Sequence, residues 1–152
     1  MESLIYLAPV VGVIALIFAL FLSKKVSRED EGTDRMKEIA AAISDGAHAF
    51  LTAEYKILVI FIIVLFVLIA LGIGVKSGIA FVLGTLCSIL AGYFGMSVAT
   101  KANVRTANAA RTGGMNRALS IAFSGGAVMG MSVVGLGLLG VSIVYMVTGD
   151  TN

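Results

Sequence analysis

A bundle of four transmembrane α-helices, with an amphipathic helix between the first and second, is what this chain should form. Composition carries the first argument: 59% of the 152 residues are hydrophobic and 13% are charged, with a mean hydropathy of +1.02. A soluble domain of this length needs more charge to cover its surface. The spacing of charges carries the second. About 20 apolar residues cross about 30 Å of hydrocarbon, and the chain has four such stretches between charged positions. The third is the texture of those stretches. In lipid the backbone is satisfied only in helices or closed barrels, and unbroken runs such as "ILVIFIIVLFVLIALGIGV" lack the alternation of a barrel strand. Residues 1–152 therefore read as one all-α integral membrane domain, with approximate spans 3–23, 57–75, 78–100 and 125–147.

The first span is preceded by Glu2 and followed by Lys24, Lys25 and Arg28, the reverse of a signal peptide's polarity, so it should be a retained helix. Pro9 can kink it slightly. Between spans one and two, Met36, Ile39, Ala40, Ile43, Ala47, Phe50 and Leu51 share one helical face, while Lys37, Glu38, Asp45 and His48 lie on the other. That pattern predicts an amphipathic helix over 34–56 feeding span two. Gly46 costs it about 1 kcal/mol relative to alanine and allows a bend. Glu54 falls on the apolar face near the membrane boundary, where a lone carboxylate is costly, so Lys101 or Arg105 is its expected partner.

Span two, rich in Ile, Val, Leu and Phe, should face lipid. Span three repeats small residues at Ala80, Gly84, Ser88 and Gly92. Span four carries Gly126 and Gly130 at GxxxG spacing, with Gly135, Gly137 and Gly140 beyond. Such seams let backbones approach where no hydrophobic effect drives helices together, so spans three and four should pack on protein through them. Span three runs straight into Lys101, Arg105 and Arg111, and Gly113-Gly114 should end this extension.

Lys24, Lys25, Arg28, Arg35 and Lys37 lie in one loop and Lys101, Arg105, Arg111 and Arg117 in another, whereas the opposite side has Lys76. The positive-inside rule then makes loops 24–56 and 101–117 cytoplasmic and puts the N-terminus outside. This topological role is preferred over phosphate binding for Lys101, Arg105 and Arg111. Tyr6, Tyr55 and Tyr145 fall at helix ends, where amphipathic rings sit, and Tyr93 should pack between helices.

No ionisable side chain lies in the middle of any span, so no proton relay or intramembrane ion site is visible. His48 reads as solvent-exposed rather than a metal ligand, and Asp30 and Asp34 in "DEGTD" as a solvated turn rather than a magnesium site. A phosphate-binding GxxxxGK[ST] loop, a nucleophilic triad and a nucleic-acid motif are all absent from the sequence. Cys87, the sole cysteine, cannot form an intrachain disulfide. The residues nominate no catalytic, cofactor-binding or metal site.

Three stretches carry a resemblance: "EGTDRMKEIAAAISDGAHAFLTAEYK" (31–56), "GMSVATKANVRTANAAR" (95–111) and "ALSIAFSGGAVMGMSVVGLGLLG" (118–140). Together they resemble the N-terminal region of the membrane-bound, ion-translocating inorganic pyrophosphatases, pumps in which pyrophosphate hydrolysis drives sodium or protons across a membrane. The resemblance implies a cell-membrane homodimer, each subunit having about sixteen transmembrane helices in two concentric rings. It also implies Mg²⁺ as cofactor and, in one branch, K⁺ as activator. The wording of "GTDRMKEIAAAI" and "AFLTAEYK" leans towards the sodium-pumping, potassium-stimulated branch. The family's aspartate-rich and lysine motifs lie on later, inner-ring helices and do not occur here. On this reading the chain is an outer-ring scaffold, a fragment or truncated reading frame that is inactive alone. Two other readings are a stand-alone non-catalytic membrane scaffold or accessory subunit, and a rotor-ring proteolipid; the latter needs a mid-membrane carboxylate that no span has.

Overall fold

The computed structural model describes the backbone of residues 2–148 and the side chains of 7–147, which leaves the Tyr6 ring outside the described residues. Three helices are present: α1 (Glu2–Ser27), α2 (Asp34–Gly72) and α3 (Val75–Thr148). Each is long and apolar enough to cross a membrane. No strand occurs among the described residues.

α1 continues through Pro9 and buries Gly12, Ala15, Ala19, Leu22 and Val26, a spacing of three and four that makes one narrow stripe. The opposite face is apolar and exposed. α2 joins the expected amphipathic helix and the second apolar run into one 39-residue helix that passes Gly46 without a break. The side of α2 turned towards the rest of the chain is Met36, Ala40, Ser44, Ala47 and Leu51, while Ile39, Ile43 and Phe50 stay exposed. The outer row of the apolar half, including Ile57, Ile60, Phe61, Leu68 and Leu71, is exposed.

α2 ends at Gly72, short of the expected Val75, because Gly74 takes φ 141° and turns the chain. Only glycine adopts that backbone conformation without strain. Lys76 therefore sits in the first turn of α3. A Cβ on Gly78 would lie 2.9 Å from the Phe66 ring, so glycine lets the start of α3 pack against the end of α2.

α3 has 74 residues; laid out straight it would measure about 110 Å, several bilayer thicknesses. It does not run straight. At Gly114 the backbone leaves the helical region (φ 78°, ψ 178°), so two helical halves, 75–113 and 115–148, meet at the Gly113-Gly114 break expected from the sequence. Gly125 lies against Ala102, Gly95 against Met129 and Gly140 against Cys87. These pairs recede evenly from Gly114 on both sides, the signature of an antiparallel hairpin. The fourth span expected from the sequence, 125–147, falls in the second half of α3.

α1 packs along this hairpin: Ala19, Leu22 and Val26 join Val98, Ala102, Ala109, Ala118, Ile121 and Val128 in one buried cluster. Gly12 and Gly135 bring two helix backbones close together: a Cβ on Gly12 would stand 2.9 Å from the Gly135 carbonyl oxygen. This corrects the expected seam. Gly126 and Gly130 face open space, and GxxxG spacing alone does not choose a partner. The Gly84, Ser88 and Gly92 row of the first half does not close on the second half either. With Gly137 and Gly140 it lines an open apolar groove of about 800 Å³. Tyr93 sets its ring beside that of His48 on α2, as expected of a residue between helices, and beside Phe94, but it stays 43% exposed. Tyr55 donates its hydroxyl to the Ile89 carbonyl at 3.2 Å.

Candidate functional site: an arginine clasp over the loop after α1

The residues that form the site are the bases of α3 and the acids between α1 and α2. Along α3, Val98, Ala102, Arg105, Asn108 and Ala109 are all buried. Their spacing of three and four puts Arg105 and Asn108 on the inward face with the small residues. Small neighbours leave room for a guanidinium to pass between helices.

Arg105 closes over the end of α1. Its Nε donates to the Glu29 carbonyl at 3.0 Å, its Nη1 to the Lys101 carbonyl at 2.8 Å and its Nη2 to the Ser27 carbonyl at 3.4 Å. Nη2 also meets Glu31 Oε1 at 2.7 Å; the arginine side chain is 9% exposed and the glutamate 41%. A helix end leaves carbonyls without intrahelical donors, and cationic donors there oppose the negative end of the helix dipole. Arg105 supplies both to α1 from another helix.

Asn108, one turn on, donates to the Asp30 carbonyl at 3.2 Å and to Asp30 Oδ2 at 3.1 Å. Arg111 Nη2 donates to Asn108 Oδ1 at 3.0 Å, which fixes the amide's orientation. Asp30 Oδ1 accepts from the Gly32 amide at 3.0 Å. Gly32 has φ 89°, and a Cβ there would lie 2.8 Å from Asn108 Oδ1, so both conformation and space demand glycine. Thr33 then caps α2 by accepting from the Met36 amide. Arg117, beyond the Gly114 break, reaches back to Glu29 Oε2 at 2.9 Å. The clasp therefore joins the end of α1, its following loop and both halves of α3.

The Gly32 amide bond holds the Asp30 carboxyl below its ordinary range; Asn108 and the charges of Lys37 and Arg111 act in the same direction, against a smaller opposing effect of desolvation. No buried side-chain nitrogen or oxygen among the described residues lacks a partner. Chemically the arrangement is a tie: Arg105 makes four hydrogen bonds to protein oxygens.

Several sequence-level expectations change here. Arg105 pairs with Glu31, not with Glu54, and Glu54 is exposed with no ion pair among the described residues. Depth along the helices suggested Glu54 as a partner, but Arg105 points towards the end of α1 and the loop that follows it. Asp30 and Asp34 do not act together, since Asp34 pairs with Lys37 at 3.4 Å. "DEGTD" is a clasped turn rather than a freely solvated one. Lys101 stays exposed, as does His48. Glu29, Glu31 and Asn108 were not singled out by the sequence. The missed signal was the row Val98, Ala102, Arg105 and Ala109, which has the spacing of a buried stripe.

A family model described as inorganic H⁺ pyrophosphatase matches residues 13–152. The chain belongs to this family. It is 57% identical over 98% of its length to a putative K⁺-stimulated pyrophosphate-energized sodium pump of Clostridium tetani, covering 22% of that protein. It is 47% identical over its full length to a K⁺-insensitive pyrophosphate-energized proton pump of Methanosarcina mazei, covering 23%. With a K⁺-stimulated pyrophosphate-energized sodium pump of Thermotoga maritima it shares 45% identity over 97% of its length, covering 20%. The chain thus spans about a fifth of the length of these relatives. Within this pyrophosphatase family member, the described residues contain no group of three or more His, Cys, Asp or Glu placed to hold a metal ion. The acids nearest one another, Glu29, Asp30 and Glu31, are spent on Arg117, Asn108 and Arg105.

Proposed function

We propose that this chain is the N-terminal, outer-ring segment of a membrane pump that couples pyrophosphate hydrolysis to sodium or proton transport. The observation that carries the reading is the near-complete match of the chain to pumps about five times its length. Its part in the pump is that of a scaffold. α1, α2 and the two halves of α3 make four crossings, 3–23, 57–75, 78–100 and 125–147, within a subunit of about sixteen helices that works as a homodimer. The N-terminus lies outside, and loops 24–56 and 101–117, with the clasp between them, are cytoplasmic. The distribution of bases supports this orientation.

Pyrophosphate, Mg²⁺ and, in the potassium-stimulated branch, K⁺ bind on helices outside this segment. Hydrolysis needs carboxylates free to hold magnesium and position an attacking water, and pumping needs an ionisable relay inside the membrane. The segment's acids lie at residues 2, 29–54 and 150, and those of the clasp are engaged by arginines and an asparagine. The test is hydrolysis by the purified chain in liposomes. No Mg²⁺-dependent pyrophosphate turnover is expected; turnover that survives removal of soluble pyrophosphatase would overturn the scaffold assignment.

A further inference from the structure

Bases in the last turn of a helix ordinarily offset the negative end of its dipole. In α1 that role is taken by Arg105, which donates to the Ser27 and Glu29 carbonyls at this end. The nearby carboxylates are engaged as well: Glu29 by Arg117, Glu31 by Arg105, Asp34 by Lys37 and Glu38 by Arg35, and Asp30 by the Gly32 amide and Asn108. Lys24, Lys25 and Arg28 are therefore left exposed, with no carboxylate partner among the described residues.

Their position on α1 says what would complement them. Ile17 and Phe21 are 61% and 63% exposed and lie on the face away from the Leu22 and Val26 stripe. Lys24 continues the same row at helical spacing, with Lys25 at its side, and Arg28 follows in the turn just past the end of α1. One side of α1 thus presents an apolar column that ends in three uncompensated cations where the membrane-spanning apolar run stops. An acyl chain fits the column and an anionic phosphate fits the cations. We propose that the face of α1 bearing Ile17, Phe21, Lys24 and Lys25, with Arg28 just past its end, is a binding site for an anionic phospholipid. The site requires that α1 cross a membrane and does not depend on the pump's chemistry. A free phosphate would engage the cations but not the column.

Native mass spectrometry of the detergent-purified chain with added phosphatidylglycerol or phosphatidylcholine of the same acyl chains tests this. Each base near a charged lipid contributes about fivefold, so roughly a hundredfold preference for phosphatidylglycerol is expected at low salt, shrinking as salt rises. The triple variant K24Q/K25Q/R28Q should lose the preference while still binding both lipids weakly. The double variant R35Q/K37Q, which removes bases paired with Glu38 and Asp34, should keep it. Millimolar inorganic phosphate or pyrophosphate should not displace the lipid. Equal binding of the two lipids by the unaltered chain, an undiminished preference in the triple variant, or displacement by free phosphate would each overturn the proposal.

Discussion

Replacing Arg105 separates two descriptions of the clasp: an ion pair with Glu31, or a cap on α1. Arg105→Ala removes donors from the Glu29 carbonyl at 3.0 Å and the Ser27 carbonyl at 3.4 Å as well as the partner of Glu31. Removing one member of a buried pair costs about 3–5 kcal/mol. Glu31 is 41% exposed and regains water when released, which puts the electrostatic part at the low end of that range or beneath it. The deserted carbonyls add about 1 kcal/mol or more if they stay dry. The total is about 3 kcal/mol, equivalent to about 6–12 °C in melting temperature by the scaling of soluble domains of this size. Half-buried Cys87, the sole cysteine, provides the assay: a thiol-reactive fluorophore reports its exposure as the detergent-solubilised chain unfolds. Arg105→Lys should recover less than half of the loss, because one ammonium cannot serve carbonyls and carboxylate together. The swap R105E/E31R restores opposite charges but no donor for the carbonyls, and it should remain as unstable as Arg105→Ala. A swap variant as stable as the original chain, or an Arg105→Ala variant melting within a degree of it, would refute the capping argument.

Gly32→Ala should cost about 1–3 kcal/mol, since it forces alanine to positive φ and into Asn108, whereas Gly126→Ala, where a Cβ meets open space, should be neutral or slightly stabilising. Gly12→Leu should lower the melting temperature by several degrees through the Gly135 carbonyl, and Gly130→Leu should not; equal effects would return the seam to the GxxxG pair. Asp30 has a lowered folded pKa, so its contribution is present above the ordinary carboxylate value and is lost as pH falls through the folded one. The melting temperature of Asp30→Asn should lie below that of the original chain by a constant margin above about pH 4, and the margin should shrink below it. In a Cys87→Ala background, a cysteine at Thr112 should react with an impermeant thiol reagent from the cytoplasmic side only, and one at Ser77 from the opposite side only; reversed labelling would invert the topology.

The helices were legible because they follow from local properties. Apolar length specified α1 and the outer half of α2, period-3.6 patterning specified the inner half, and Gly113-Gly114 marked where α3 turns back. The clasp was half legible. Arg105, Arg111 and Arg117 stood out as bases beside a membrane helix, a pattern that any cytoplasmic helix end can show. The partners of Arg105 and Arg117 lie in a loop some seventy to ninety positions earlier in the chain, Arg111 is held by Asn108 on its own helix, and depth in the membrane pointed to Glu54 because it carries no information about azimuth. The buried row containing Val98, Ala102, Arg105 and Ala109 does carry it. The GxxxG part of the glycine seam failed for a related reason, although Gly135 and Gly140 of the same helix do pack on neighbours: Gly12 and Gly135 meet because two helices cross there, and neither has a spacing motif that names the other. The resemblance to the pyrophosphatases was legible from local wording, and the family match bears it out.

The central claim, that these residues are the scaffold segment of a pyrophosphate-driven pump, is tested most directly by transplantation. The homologous fifth of the Thermotoga maritima sodium pump is replaced by residues 1–152, and pyrophosphate-driven ²²Na⁺ uptake into proteoliposomes is measured with Mg²⁺ and K⁺ present. The account predicts uptake comparable to that of the unaltered pump, and uptake reduced by Arg105→Ala in proportion to lost folded protein. A chimera that inserts and melts normally yet neither hydrolyses pyrophosphate nor takes up sodium would contradict it.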